Sequence, residues 1–186
     1  MKMTFWKKII AYIVSIPARM KGVEFGKNSF LGFGYDTVPK LKGVILGNDV
    51  MIGKNAWLDI SLRARGAKII IGNGTQIGRF VVLSACDKIE IGEKCLVSYN
   101  VSFIDHDHNF SNIMVSPMDS GITEGEEIEI GDHCFIGAHS FILKGVTLGK
   151  HCVVGANSVV VDSFPDCSVV AGNPAKLVKN LNANEN

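Results

Sequence analysis

The chain has 186 residues, of which 19 are lysine or arginine and 18 are aspartate or glutamate, so its formal net charge is +1. That length suits one domain, and the balanced charge lacks the basic excess typical of nucleic-acid-binding proteins. Hydrophobic residues make up 47% of the chain, as expected of a globular protein. The five cysteines form no CxxC pair, which argues against a disulfide scaffold and a cysteine-based zinc site. These features predict a cytoplasmic protein.

The first twenty residues differ in kind from the rest. Three lysines precede an apolar run over residues 9–16, and apolar residues recur there at helical spacing. The run is shorter than the ~20 residues of a membrane-spanning helix, and no A-x-A cleavage site follows it. We therefore expect a helix over residues 1–22. In the commoner case, its apolar stripe packs against its own or a neighbouring subunit. In the alternative, residues 1–20 make a peripheral contact with the inner face of the membrane, anchored by Trp6 and the lysines.

From residue 25 onward the chain repeats every six residues. An aliphatic residue leads each hexad and glycine often follows it; the clearest leaders are Ile130, Ile136, Ile142, Leu148, Val154 and Val160. The fifth position is small or β-branched, and its cysteines are interpreted as buried packing residues: Cys95, Cys134 and Cys152. A hexad can be a short strand followed by a corner, with the leader pointing inward. Three hexads then form a triangular coil, and about seven coils stack through parallel hydrogen bonds.

The repeat fails over a polar segment that opens with Asp105, His106, Asp107 and His108. We expect residues 105–127 to form a loop ejected from the solenoid, and such loops usually carry function. Imidazole can act as a general base near neutral pH, so both histidines are candidates for that role. A metal site would need all four side chains to converge, which an extended strand prevents unless it bends. The remaining histidines fall at an outward corner position and are interpreted as surface residues: His133, His139 and His151.

The C-terminal part of the chain carries the most specific pattern. Its elements, in order, are Ile136-Gly137-Ala138, Gly145-Val146-Thr147-Leu148-Gly149, Val154-Gly155-Ala156 and Ala171-Gly172-Asn173-Pro174-Ala175-Lys176. This series resembles the hexapeptide-repeat acetyltransferases, the group that contains maltose, galactoside and polysaccharide-precursor O-acetyltransferases. The resemblance implies an all-β fold, a left-handed parallel β-helix over residues 23–172. An N-terminal helix precedes it, and a short C-terminal helix and tail follow over residues 173–186.

The same resemblance implies an active site and a co-substrate. In that family a histidine at the root of the ejected loop is the catalytic base, and His106 takes that position. Asp105 or a backbone carbonyl can orient its imidazole. Relatives often carry His-Pro there, whereas this chain has His106-Asp107, and His108 remains the alternative. The family binds acetyl-CoA, without a metal ion, in a groove between subunits of a homotrimer. The matching cofactor-binding positions here are Ala138, Ala156, Val161, Asp162, Lys176 and Lys179.

The expected function is acetyl-CoA-dependent O-acetylation of a sugar hydroxyl in surface-polysaccharide or glycan-precursor synthesis, by direct transfer with a histidine base. Acetylation of an amino sugar on nitrogen is the alternative within the class. A γ-type carbonic anhydrase has the same fold but binds zinc through three histidines, and the five-residue spacing of its ligand pair is missing here. A non-catalytic β-helix that acts in assembly is a further alternative, and it would need neither CoA nor His106.

Overall fold

The structure is a computed structural model that describes residues 5–37, 41–61 and 66–182, and in it short strands form three sheets. The first sheet holds β1 (Glu24–Phe25), β4 (Val44–Leu46), β7 (Lys68–Ile71), β10 (Lys88–Ile91), β13 (Ile128–Ile130) and β16 (Thr147–Leu148). The second holds β2 (Phe30–Leu31), β5 (Met51–Ile52), β8 (Gln76–Ile77), β11 (Leu96–Val97), β14 (Phe135–Ile136), β17 (Val153–Val154), β19 (Ser168–Gly172) and β20 (Ala175–Asn180). The third holds β3 (Asp36–Thr37), β6 (Trp57–Ile60), β9 (Val82–Ala85), β12 (Ser102–Ile104), β15 (Phe141–Leu143) and β18 (Val159–Val160).

From β1 to β19, successive strands belong to different sheets, so the chain turns around a narrow core. The hexad leaders stack on one another: Ile91 pairs with Ile130, and Ile130 pairs with Leu148. All three are buried, because alternate side chains of each strand point into the prism. This confirms the predicted all-β parallel helix of hexapeptide repeats. Within the described residues there are six complete coils. A seventh begins, with Phe164 bridging Leu148 and β19 pairing parallel with β17, but the chain reverses at Gly172 before a third side forms.

The small fifth position of the hexad is buried as predicted. The thiols of Cys95, Cys134 and Cys152 lie inside the prism, at most 2% exposed. Each Sγ approaches a backbone carbonyl of the following turn, as that of Cys134 does at 3.1 Å from Gly149 O. Serine at the same position makes the equivalent bond, since Ser140 Oγ donates to Gly155 O at 2.9 Å. These cysteines therefore act as small packing residues.

The predicted N-terminal helix is confirmed, but it is broken into two parts. Helix α1 (Phe5–Val14) and helix α2 (Ile16–Met20) meet at Ser15, which is completely buried. Ser15 Oγ donates to Ala11 O at 2.8 Å and accepts from the N–H of Leu31 at 2.9 Å, which joins the break to the first coil. None of the helices in the described part of the chain is long and apolar enough to cross a bilayer.

The predicted C-terminal helix is wrong. Residues Ala175–Asn180 form strand β20, which pairs antiparallel with β19, and residues 183–186 lie outside the described ranges. The last parallel strand of a solenoid presents unpaired backbone N–H and C=O groups, and β20 satisfies them where a helix would not. The reversal occurs at Gly172, whose φ of +105° suits glycine, and includes a cis Asn173–Pro174 bond.

Candidate active site

Asp105 and His106 follow strand β12 at the root of the ejected loop. The Asp105 carboxylate is completely buried and accepts hydrogen bonds from the backbone N–H groups of Cys86 (2.7 Å) and Asp87 (2.8 Å) in the preceding coil. Its Oδ1 also lies 2.8 Å from Nδ1 of His106. Because a carboxylate can only accept, Nδ1 of the neutral imidazole carries the proton and Nε2 has a free lone pair. The pair can therefore act as an oriented general base.

The loop that begins at this pair is closed at its stem. The N–H of Thr123 donates to Asp107 O at 2.8 Å, and the N–H of Asn109 donates to Gly121 O at 2.9 Å. Lys144, on the coil beyond, contacts the carboxylates of Glu126 (2.9 Å) and Asp107 (3.3 Å). Helix α3 (Pro117–Ser120) lies in the loop's outer part, which is largely exposed. The stem thus holds both sides of the loop against the solenoid beside His106.

A cavity of about 620 Å³ lies beside the pair on the outside of the third sheet. Its lining comes from three strands and the loop stem: Trp57, Asp59, Ser61, Val82, Ser84, Ile104, His106, Asp107, His108 and Ile122. The side chain of His106 is 13% exposed, so it reaches the cavity while its other face stays buried. His108 also lines the cavity, but no carboxylate contact of the kind His106 makes is seen for it among the described contacts. This favours His106 over His108.

Sequence reasoning missed the residues that line the far part of this cavity. Trp57 and Asp59 lie on β6, and Ser84 on β9 donates its hydroxyl to Asp59 Oδ2 at 3.0 Å. Asp59 and Ser84 each follow a hexad leader, at the position that other hexads fill with glycine. That departure from the repeat was the available signal. Its meaning depends on the stacking of β6, β9 and β12, which brings three distant segments together.

Cys86 is the cysteine nearest the candidate base. Burial, and then the neighbouring Asp105 carboxylate, raise the pKa of its thiol above the ordinary value. Cys86 Sγ lies 3.8 Å from Thr123 O. A raised pKa keeps the sulfur protonated, and a protonated thiol is a poor nucleophile. The surroundings of Cys86 therefore do not favour an acyl-cysteine intermediate.

The predicted CoA-binding residues lie away from His106 within one chain. Ala138 and Ala156 occupy equivalent places in successive coils, and the N–H of Asn157 donates to Ala138 O at 2.9 Å. Both come just before a strand of the third sheet, whereas His106 comes just after one. Because these strands are parallel, the alanines and His106 lie at opposite ends of the strands. Lys176 lies on β20 and pairs with Asp162 at 3.0 Å, both side chains being more than half exposed. The remaining predicted positions are also exposed: Val161 and Lys179.

The other histidines lie on the surface, as predicted. The rings of His133 and His151 stack with their centroids 4.9 Å apart, one coil above the other. His139 packs edge-on against Tyr99 at 5.2 Å. All three have a positive φ of 58° to 62°, which is the backbone conformation of the corners. Among the residues described, no three His, Cys, Asp or Glu side chains are grouped so that they could hold a metal ion.

Comparison with known proteins identifies the family. A family model for the hexapeptide repeat of succinyl-transferase matches residues 127–161. The putative lipopolysaccharide biosynthesis O-acetyl transferase WbbJ of Escherichia coli is 32% identical over 143 residues, which cover 72% of this chain and 72% of that protein. The chain belongs to the hexapeptide-repeat acetyltransferases. The family inferred from the C-terminal motif is therefore confirmed.

Two further matches extend the comparison. A probable acetyltransferase of Mycobacterium tuberculosis is 34% identical over 154 residues, covering 81% of this chain but 49% of that protein, so the chain spans about half the length of this relative. The solved structure of AntD, an N-acyltransferase from Bacillus cereus in complex with dTDP and coenzyme A, matches with a TM-score of 0.71 and 23% identity, covering 88% of this chain and 87% of the other. At that identity the likeness concerns the fold, and it agrees with a hexapeptide β-helix.

Proposed function

We propose that this protein is an acetyl-CoA-dependent O-acetyltransferase that modifies a sugar hydroxyl in surface-polysaccharide or glycan-precursor synthesis. The observation that carries the proposal is the Asp105–His106 pair beside a cavity of about 620 Å³. A base that lines a cavity suits deprotonation of a hydroxyl that binds there. The family of the chain, and the name of its Escherichia coli relative, support the acetyl group and the glycan acceptor.

The reaction is a direct transfer. Nε2 of His106 accepts the proton of the acceptor hydroxyl while the hydroxyl oxygen attacks the thioester carbonyl carbon. The carbon–sulfur bond of the resulting tetrahedral intermediate then breaks, and His106 returns the proton to the CoA thiolate. The products are an acetyl ester and free CoA. Asp105 stabilises the imidazolium between the two steps, because its buried carboxylate keeps the opposite charge next to Nδ1.

The cavity lining favours a carbohydrate acceptor. Trp57, which is 45% exposed, presents an indole ring that can pack against the apolar face of a sugar. Asp59, paired with Ser84, presents a carboxylate that can accept hydrogen bonds from sugar hydroxyls. Strand β6 is two coils from β12, about 10 Å at ~4.8 Å per coil. An acceptor that contacts Asp59 while its reacting hydroxyl lies at His106 therefore spans at least one sugar ring.

The donor binds along Ala138 and Ala156, with Lys176 and Lys179 toward its phosphates, since small residues permit close approach and cations favour phosphate. Val161 and Asp162 line the same groove. Because this region and His106 lie at opposite ends of the third sheet in one chain, we infer that the base faces a donor bound to a neighbouring subunit of a homotrimer. The assembled enzyme then has its active sites between subunits.

The activity is tested by incubating the full chain with acetyl-CoA and a panel of neutral and amino sugars, free and nucleotide-linked. Release of CoA thiol reports turnover, and mass spectrometry with mild alkali treatment distinguishes an ester from an amide. We expect an alkali-labile ester. An alkali-stable amide would make the protein an N-acetyltransferase. A rate of CoA release that is the same with each sugar as without any sugar would refute a sugar acceptor.

A matched pair of variants tests the base. His106→Asn should lower kcat by at least about 100-fold, the usual contribution of a general base. His133→Asn is the control, because His133 is an exposed corner residue whose positive φ asparagine also accepts. Near-normal activity of His106→Asn would refute the assignment. At acetyl-CoA concentrations well below the KM of Ala156→Leu, mixed trimers of His106→Asn and Ala156→Leu subunits should be more active than either variant alone. Failure to do so would refute a site shared between subunits.

A further inference from the structure

The N-terminal segment has an unusual charge distribution. Residues 1–23 contain five cationic side chains and no aspartate or glutamate: Lys2, Lys7, Lys8, Arg19 and Lys21. The first acidic residue of the chain is Glu24. Over the whole chain, by contrast, the charges nearly cancel to a net of +1. The N-terminal segment of the sequence therefore carries a positive charge that the composition of the whole chain does not reveal.

Helix α1 in the same segment turns an apolar face outward. Trp6, Ile10 and Ile13 are 72%, 61% and 56% exposed. They are spaced by four and then three residues, which places them on one face of the helix. On the other side of α1, Ala11 and Val14 are only partly exposed, and Ser15 and Ala18 beyond its end are completely buried. The exposed stripe is thus not the face that holds the helix on the β-helix.

The outward face continues onto the solenoid. Phe33, which is 72% exposed, lies beside Ile10 across a groove of about 420 Å³ between α1 and the second sheet. Val14, Phe30 and Met51 also line this groove, whose surface is almost entirely apolar. We name the four exposed residues the N-terminal apolar surface: Trp6, Ile10, Ile13 and Phe33. A surface of this kind loses unfavourable contact with water when a partner covers it.

The N-terminal apolar surface is held in a defined orientation. The hydroxyl of Tyr35 donates to Val14 O at 3.2 Å and accepts from the N–H of Ala18 at 3.1 Å. Ser15 Oγ accepts from the N–H of Leu31 in the first coil at 2.9 Å. These bonds tie both sides of the helix break to the solenoid. The surface is therefore presented by a folded element and needs no rearrangement to dock.

We propose that the N-terminal apolar surface docks onto the interfacial region of an anionic lipid bilayer. Exposed apolar side chains, among them a tryptophan, on a segment of sequence with five cations and no acid match an interface of acyl chains and anionic headgroups. Packing of α1 on a second α1 would instead bring like charges together, with no acid in residues 1–23 to neutralise them. This docking is independent of the reaction proposed above.

The test is co-sedimentation of the full chain with vesicles of phosphatidylcholine, with and without phosphatidylglycerol. We expect at least tenfold stronger binding to the anionic vesicles, weakened by high salt because screening reduces the attraction. The double variant Ile10→Asp/Ile13→Asp should lower that binding at least tenfold. Lys7→Gln/Lys8→Gln should reduce the preference for anionic vesicles severalfold without changing the apolar stripe.

The control is Val178→Asp/Leu181→Asp. These residues are 63% and 49% exposed. Val178 lies on β20, the last strand of the second sheet at the end opposite β2, and Leu181 follows that strand. The control should bind vesicles like the unmodified protein, and circular dichroism should show that all variants are folded. The proposal is overturned if the unmodified protein does not bind anionic vesicles or if the control loses binding equally. It is also overturned if Ile10→Asp/Ile13→Asp changes the number of subunits and not vesicle binding, since a second copy then covers the surface.

Discussion

The carboxylate of Asp105 orients the imidazole of His106, its neighbour in the chain, through a contact of 2.8 Å between Oδ1 and Nδ1. The same carboxylate accepts two backbone N–H groups, at Cys86 and Asp87, nearly twenty residues earlier. Coil stacking brings those groups under Asp105. The geometry of the candidate base thus depends on two adjacent coils, because the backbone of one coil holds the carboxylate that orients His106 in the next.

Replacing Asp105 by asparagine should impair both catalysis and folding. An amide NH₂ in place of Oδ2 faces the N–H of Asp87, whereas one in place of Oδ1 faces both His106 Nδ1 and the N–H of Cys86. At least one donor therefore loses its acceptor in either orientation. We expect a fall in kcat of about 100-fold, the lower end of a general base's contribution, because a neutral amide cannot stabilise the imidazolium with an opposite charge. Stability should fall by about 1–3 kcal/mol, the cost of an unsatisfied buried polar group. Steady-state kinetics and denaturant unfolding measure the two effects.

The control for this variant is Asp49→Asn. Asp49 is exposed, has a φ of +55° that asparagine accepts, and can keep its contact with Asn28 as an amide. It should change neither kcat nor stability by a measurable amount. Unchanged kcat in Asp105→Asn would show that His106 needs no carboxylate to act as a base.

Substitutions on strand β6 should affect the acceptor and not the donor. Asp59→Asn removes the carboxylate charge that we propose interacts with the sugar hydroxyls. Trp57→Ala removes the indole ring that we propose packs against the sugar. Each should raise the KM for the sugar about tenfold, the order expected for one charge-assisted hydrogen bond or one stacking contact. The KM for acetyl-CoA should stay unchanged. Parallel titrations of the two substrates separate the effects, and an equal rise in both constants would contradict an acceptor site.

Enlarging Ala156 should affect the donor. A leucine side chain there would project from an exposed corner into the space assigned to the pantetheine arm. We expect Ala156→Leu to raise the KM for acetyl-CoA at least tenfold, with unfolding unchanged because the residue is exposed. Thr147→Leu, a comparable enlargement on the exposed face of the first sheet, should leave that KM unaltered. Isothermal titration with CoA measures the difference directly, and equal affinities would place the donor elsewhere.

Glycine after a hexad leader is required by the close approach of coils. A Cβ added at Gly131 would lie 2.7 Å from Lys150 N and 2.8 Å from Gly149 C, both backbone atoms. Gly131→Ala should therefore cost about 3 kcal/mol of unfolding free energy. At Gly74, where φ is +70° and the nearest atom is 3.4 Å away, asparagine should cost less than about 1 kcal/mol. Thermal unfolding measures the stability of both variants. Equal stabilities would contradict backbone crowding as the reason for glycine at position 131.

The amino-acid sequence alone predicts the β-helix because each hexad repeats the same local requirement. An aliphatic leader such as Ile136 needs a dry interior, and a small residue such as Cys134 needs a place beside the corner; both are buried. The period of six and the failure of the repeat after Ile104 are visible without coordinates. So is His106 as a candidate base, because it follows the last strand before the break and because the family motif indicates it.

The residues that lie beside His106 are evident only in the tertiary structure. One cavity contains Trp57, Asp59 and Ser84 only because β6 and β9 stack in register. The number of residues between stacked strands varies from coil to coil, so this register is not evident in the sequence. Tertiary structure also made the C-terminal segment a strand, since β20 completes the unpaired edge of β19. Local periodicity determines which residues face inward, but contacts between coils depend on backbone edges and insert lengths that no single hexad encodes.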